Sequence, residues 1–273
     1  MGDLTSQFAL PLQGKLAIVT GSSRGIGAGI AWELARRVLG ENLKAKENQV
    51  CITYVSNSSK LPVEDLRVKI GQLPHKPTTW ACQADLSTTT GAQEVISQLK
   101  THFGSHELQI HILVNNAATE TVGDMQSLTL EDYDKVFNLN VRGLMLMTQA
   151  VVPYLVPKGR IINLSSVGAR SGFKNVSLYS ASKAAVEGFT RSWASELGRN
   201  GTTVNAVAPG PVPSDMLDNI PKEIVDMQKT TTPIEQRLGT TEEITSIVGW
   251  LAGPDASWVS GQVICASGGW SMY

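Results

Sequence analysis

Leu16-Ala17-Ile18-Val19-Thr20-Gly21-Ser22-Ser23-Arg24-Gly25-Ile26-Gly27 passes from a short apolar, β-rich run into a glycine turn. It then enters Ile30–Val38, where apolar residues recur at helical spacing. Strand, turn and helix in that order make the first half of a βαβ unit. A turn without β-carbons lets a backbone approach a pyrophosphate, and the helix N-terminus offers that anion unpaired N–H groups and partial positive charge. The spacing G-x-x-x-G-x-G, set between a strand and a helix, therefore predicts a nucleotide cradle built from Gly21, Ser23, Arg24, Gly25, Ile26 and Gly27.

The same alternation continues outward. Candidate strands lie at Val50–Val55, Thr79–Ala84, Ile110–Val114, Arg160–Leu164, Thr203–Ala208 and Gln262–Cys265. Between them stand candidate helices near Pro62–Ile70, Thr90–His102, Thr129–Leu155, Ser180–Leu197 and Glu242–Leu251. Strands that are apolar throughout and each followed by a helix predict a parallel sheet buried on both faces. The fold class is thus α/β: one Rossmann-type, doubly wound domain over 15–273, its seven-stranded parallel sheet covered by helices on both sides. Residues 1–14 read as a lead-in, 39–48 as a polar surface insertion, and 213–239 as a possible mobile lid.

Composition agrees and excludes other classes. Hydrophobic residues make up 42% and charged residues 17% of the 273, which suits a globular chain with a large core. A net charge of −1 gives no broad attraction to nucleic acid or anionic lipid. Cys51, Cys82 and Cys265 lie far apart and form no Cys-x-x-Cys pair, so no metal site and no disulfide framework is expected. No leader-like or membrane-spanning run is found, and cytoplasmic residence is the expectation.

After the second strand the chain reads Tyr54-Val55-Ser56-Asn57-Ser58-Ser59-Lys60, with no acid to hold two free ribose hydroxyls. Hydroxyls there, and the planar fork of Arg24 in the glycine turn, favour a 2′-phosphate and so NADP(H) over NAD(H). Further on, Tyr179 and Lys183 are four apart and share a helix face. An ammonium beside a phenol is expected to lower its pKa and make it an acid/base at neutral pH. Ser166, at the end of the strand Gly159–Ser166, is delivered to the same carboxyl edge of the sheet as the glycine turn.

With these motifs in order from about Lys15 to Gly269, the sequence resembles the short-chain dehydrogenase/reductase family, of the NADP-dependent ketoreductase type. By that resemblance Asp85 and Leu86 contact the adenine, and Asn116 and Ala117, in Asn115-Asn116-Ala117-Ala118, line the cofactor. Ala118 replaces the usual glycine. Tyr54, Ser56 and Asn57 fall at the adenosine end, while Pro209, Gly210, Val212 and Ser214 form the segment that meets the nicotinamide. Asn140, Ser166, Tyr179 and Lys183 match the catalytic tetrad, with Tyr179 as proton donor, Ser166 polarising the carbonyl and Lys183 on the ribose. Ser267 stands where an aspartate is frequent. The resemblance further implies a homotetramer or homodimer joined through the long helices.

The resemblance also points to variable pocket loops at Thr119–Met125, Gly168–Leu178 and Pro213–Ile234. Their Met125, Phe173, Leu178, Met216, Leu217 and Ile220 predict a roomy apolar pocket suited to an aromatic, polyketide-like or fused-ring ketone of secondary metabolism. The alternative is a family member that holds NADP(H) but performs non-redox chemistry as a cyclase or lyase, or senses nucleotide.

Overall fold

The computed structural model describes residues 12, 14–37, 49–104, 107–217, 220 and 222–273. Seven strands, β1 (Leu16–Val19), β2 (Gln49–Tyr54), β3 (Thr78–Gln83), β4 (Ile110–Asn115), β5 (Leu155–Leu164), β6 (Thr203–Pro209) and β7 (Val263–Ala266), form one sheet in the order 3-2-1-4-5-6-7. Every pair is parallel. The helices are α1 (Gly25–Arg36), α2 (Lys60–Gly71), α3 (Gly91–Phe103), α4 (Leu130–Phe137), α5 (Leu144–Val151), α6 (Ser177–Leu197), α7 (Lys222–Thr231) and α8 (Thr241–Ala252).

Alternate residues of each strand feed two cores. Ala17 and Val19 of β1, Val50 and Ile52 of β2, and Ile162 and Leu164 of β5 face α1, α2 and α8 through Ile30, Leu34, Val63 and Val248. Ile18, Cys51 and Ile161 point the other way, to Val95, Ile96 and Leu99 of α3 and to Met147 and Val151 of α5. Burial on both faces is why these strands read as unbroken apolar runs. The chain reverses its winding between β1 and β4, and in such sheets the crevice at that switch, outside the carboxyl ends, is where ligands bind.

At those ends a buried amide ladder joins the layers. Asn115 Nδ2 donates to Asn163 Oδ1 at 2.9 Å and to Thr148 Oγ1 of α5 at 3.0 Å, and Asn163 Nδ2 donates to Thr190 Oγ1 of α6 at 2.9 Å.

Two expectations change. The helix expected over Thr129–Leu155 divides into α4, a π-helical turn over Asn138–Gly143, α5, and a 3₁₀ turn over Val152–Tyr154. Pro153, which cannot donate into a helix, falls in that last turn, and Leu155 already pairs with Ile110 as the first residue of β5. The 213–239 segment, read as a lid or a helical excursion, contains α7. Leu12 of the lead-in is 1% exposed and belongs to the core beside α1. The expected insertion at 39–48 lies outside the described residues. Among the described residues no helix is long and apolar enough to cross a membrane, and no cluster of side chains suits a metal ion.

Candidate active site

Six strand ends, those of β1 to β6, supply one cavity of about 980 Å³. The turn after β1 is held by β4: Asn116 Nδ2 donates to Thr20 O at 2.9 Å and Gly21 O at 3.0 Å, while Thr20 Oγ1 accepts from the amides of Asn116 and Ala117. Gly21 and Gly25 have φ of +61° and +56°, a region that favours glycine. At α1 the N-cap residue Arg24 makes no capping bond and the first turn has no acid, so its amides keep their partial positive charge. Gly21, Ser23, Arg24 and Ile26 line the cavity at this helix end, whereas Gly25, expected there, does not. A dinucleotide pyrophosphate fits that seat.

Gly27 has a different task from the one expected. A Cβ there would collide with Gly21 O and Asn116 Nδ2, so this glycine lets helix and turn close-pack and does not line the cavity.

At the adenosine end Tyr54, Ser56, Asp85 and Leu86 line the cavity. Asn57 does not; it accepts a hydrogen bond from Gln83 at the surface, 3.2 Å away. Asp85 Oδ1 accepts from the amide and hydroxyl of Ser87 at 2.9 and 2.7 Å, which fixes the carboxylate. Arg24 Nε meets Asp215 Oδ2 at 2.8 Å across the mouth, with side chains 69% and 74% exposed. An ion pair so exposed is worth little and yields to a phosphate dianion.

Ser166, two residues past the end of β5, caps the 3₁₀ turn Val167–Ala169 by accepting from Gly168 N at 3.0 Å, and it lines the cavity together with Tyr179. Tyr179 stands in the first turn of α6, two residues further in than Ser177, where that helix opens. One turn on, Lys183 is 4% exposed and its Nζ donates to Leu164 O at 2.6 Å.

The electrostatics reverse one expectation. Burial pushes the Tyr179 phenol up to about 12, against the Ser166 hydrogen bond, and the Glu120 charge pushes the same way. Lys183 does not pull it down: its Nζ is 5.7 Å from the ring centroid and aimed at the Leu164 carbonyl, and burial lowers its own pKa to about 8. Tyr179 is a protonated phenol at neutral pH, which suits a proton donor.

Asn140 is 1% exposed in the π-helical turn and does not line the cavity. Its Oδ1 accepts from Thr119 N at 2.9 Å, and its Nδ2 donates to Thr119 O at 2.8 Å and Ser182 Oγ at 3.0 Å. The side chain thus clamps both backbone groups of Thr119.

Ala117, Ala118, Pro209, Gly210, Val212 and Ser214 close the wall between the two halves, and Ser214 Oγ accepts from Leu217 N at 3.2 Å. Beyond them Phe173, Val176, Met216, Leu217 and Ile220 make an apolar end. Met125 and Leu178, expected there, are absent from the lining, and Met125 is 81% exposed. Ile224 and Met227 of α7, apolar residues of the expected lid, line the cavity with Gln228, and so do Glu120 and Lys174, which were not singled out from sequence. Ile224, Met227 and Gln228 stand at i, i+3 and i+4, a helical spacing legible in the sequence. Ser267 forms a local loop, its Oγ accepting from Ser271 N and donating to Ser271 O, both at 3.1 Å.

The family model described as enoyl-(acyl carrier protein) reductase matches residues 25–271. The hydroxynaphthalene reductase arp2 of Aspergillus fumigatus is 38% identical over 268 residues, 93% of this chain and 91% of that protein. The chain belongs to the short-chain dehydrogenase/reductase family. A short-chain dehydrogenase/reductase from Serratia marcescens superposes with a TM-score of 0.85 at 34% identity, covering 96% of this chain and all of that one. Another, from Burkholderia cenocepacia and solved in complex with NADP, has a TM-score of 0.83 at 34% identity, covering 95% and 99% of the two chains. This short-chain dehydrogenase/reductase therefore shares more than nine-tenths of its length with its relatives, and its cavity lies where their shared topology reverses.

Proposed function

We propose that the chain is an NADPH-dependent carbonyl reductase acting on an apolar ketone, of the aromatic, polyketide-like or fused-ring kind. The observation that carries the reading is that Ser166, Tyr179 and Lys183 line one cavity, at the junction of an anion seat and an apolar recess. The relatives support it, one being a hydroxynaphthalene reductase and another a structure holding NADP.

The bound nicotinamide supplies the hydride. Residues of the chain do the rest. The α1 N-terminus, Gly21, Ser23 and Ile26 hold the pyrophosphate; Arg24, with Ser56, meets the 2′-phosphate; Asp85 and Leu86 flank the adenine; Ser214 and the Pro209–Val212 segment hold the nicotinamide end. Ser166 donates to the substrate oxygen and polarises it, and Tyr179 Oη–H delivers the proton as negative charge develops there. Lys183, held by Leu164 O, orients the ribose. Asn140 serves by holding the loop at Thr119 in place.

Tyr179→Phe is the deciding test. Turnover, followed as loss of NADPH absorbance with an aromatic or polycyclic ketone, should vanish while NADPH affinity stays within about threefold. Retained turnover overturns the assignment.

The chain is further proposed to work in the cytoplasm as a homodimer or homotetramer. Part-exposed aromatic pairs support an interface on two helices, Tyr133 stacked on Phe137 of α4 at 4.3 Å and Phe189 on Trp193 of α6 at 4.7 Å. A light-scattering mass of one chain removes the oligomer.

A further inference from the structure

The cavity that holds Ser166 and Tyr179 also holds an acid, Glu120, in the loop after β4. Its charge is felt at the Tyr179 hydroxyl. Phe173, Val176, Met216, Leu217 and Ile220 line the same cavity. Its placement is firm because the preceding residue is gripped twice: Asn140 accepts from Thr119 N and donates to Thr119 O, from within the π-helical turn. A carboxylate accepts only, and with about four lone-pair sites it takes several donors at once.

We propose that Glu120 is the specificity-determining acceptor that reads a hydroxyl on the substrate. The ligand is then a neutral ketone carrying a hydrogen-bond-donating hydroxyl on its ring system. A keto acid is rejected, because a second carboxylate brought beside Glu120 in a low-dielectric recess is repelled. The inference rests on the reading of this cavity as a ketone reductase site and narrows its substrate class. A hydrogen bond from hydroxyl to carboxylate is charge-assisted, and a site built around one discriminates against ligands lacking it far more sharply than an apolar wall discriminates by size.

The test uses unsubstituted tetralone, a series of hydroxytetralones with the hydroxyl moved around the aromatic ring, and a carboxytetralone. Wild-type kcat/KM should favour at least one hydroxytetralone over tetralone by about tenfold or more and discriminate against the carboxylate. Glu120→Gln, which keeps an acceptor without charge, should narrow the preference. Glu120→Ala should bring the hydroxylated and plain ketones within about threefold and improve use of the carboxylate. Each ratio is taken within one variant, so a general loss of folded enzyme cancels. An unchanged ratio in Glu120→Ala overturns the proposal, as does equal wild-type use of tetralone and every hydroxytetralone. Calorimetric titration of the same compounds separates this proposal from the reductase reading. Absence of turnover across the panel removes the reductase, while a hydroxyl preference in affinity that disappears in Glu120→Ala still upholds the role of Glu120.

Discussion

Lys183 and Tyr179 are both displaced by burial, but in opposite senses. Tyr179 is pushed up to about 12 and Lys183 down to about 8 from 10.5. For Lys183 the unfolded chain holds its proton up to about 10.5 and the folded chain only to about 8, so its contribution makes stability rise with pH across that window. Below about pH 8 the full penalty of a buried ammonium is present. Lys183→Met should therefore abolish turnover while raising the melting temperature at pH 7 by on the order of 5 °C, with the gap narrowing towards pH 10. Thermal unfolding at the two pH values checks this, and a destabilised variant at pH 7 contradicts it. Wild-type reduction should decline as pH rises through about 8, because the ammonium is lost while Tyr179 remains protonated. Arg24 offers a separate test. Its Asp215 partner is exposed and replaceable, so Arg24→Leu should weaken NADPH by about tenfold or more and NADH by no more than about threefold, read by fluorescence titration.

At the scale of elements, the π-helical turn between α4 and α5 carries the most consequence for the site. It turns Asn140 onto Thr119, and Gly143 at its end lies where a Cβ would strike Leu86 O. Gly143→Ala must push either that turn or the β3–α3 connection aside, with an expected cost of about 1–3 kcal/mol in chemical denaturation and a fall in kcat. Full activity with unchanged stability would falsify this account. The turn was not legible beforehand. Its residues continue the apolar spacing of a long helix, and a π turn shows only in the backbone. The positions of Ser166, Tyr179 and Lys183 were legible, because strand end and helix face follow from period alone. The direction of the Tyr179 shift was not, since it depends on how deeply α6 seats the phenol. Glu120 went unmarked for a related reason: an acid in a loop reads as solvated until the wall around it is known.

For the molecule as a whole, the parallel sense and the number of strands followed from apolar runs alternating with amphipathic helices, and six strands were found within about two residues of their expected ends. The exception was the start of β5, where Val156-Pro157-Lys158-Gly159 looks like a turn but runs on in the strand from Leu155. Strands apolar on both faces also carry a hidden weakness: sliding one past its neighbour by a residue still buries apolar groups on each side, so hydrophobicity alone sets alignment poorly. The Asn115–Asn163–Thr190 ladder supplies the missing information, because a slipped Asn163 would lose Asn115 and Thr190 together and leave two buried amides unpaired. Asn163 lies three residues before Ser166 on the same run of chain. A one-residue slip carries that serine about 3.3 Å along the strand and turns it to the opposite face, away from Tyr179. Asn163→Leu is then expected to yield a compact protein with multiple amide resonances for β5 and little turnover, whereas a single sharp set would show that packing alone keeps the count. The amides buried beneath the active site thus act as its ruler, keeping chemistry in phase with the sheet.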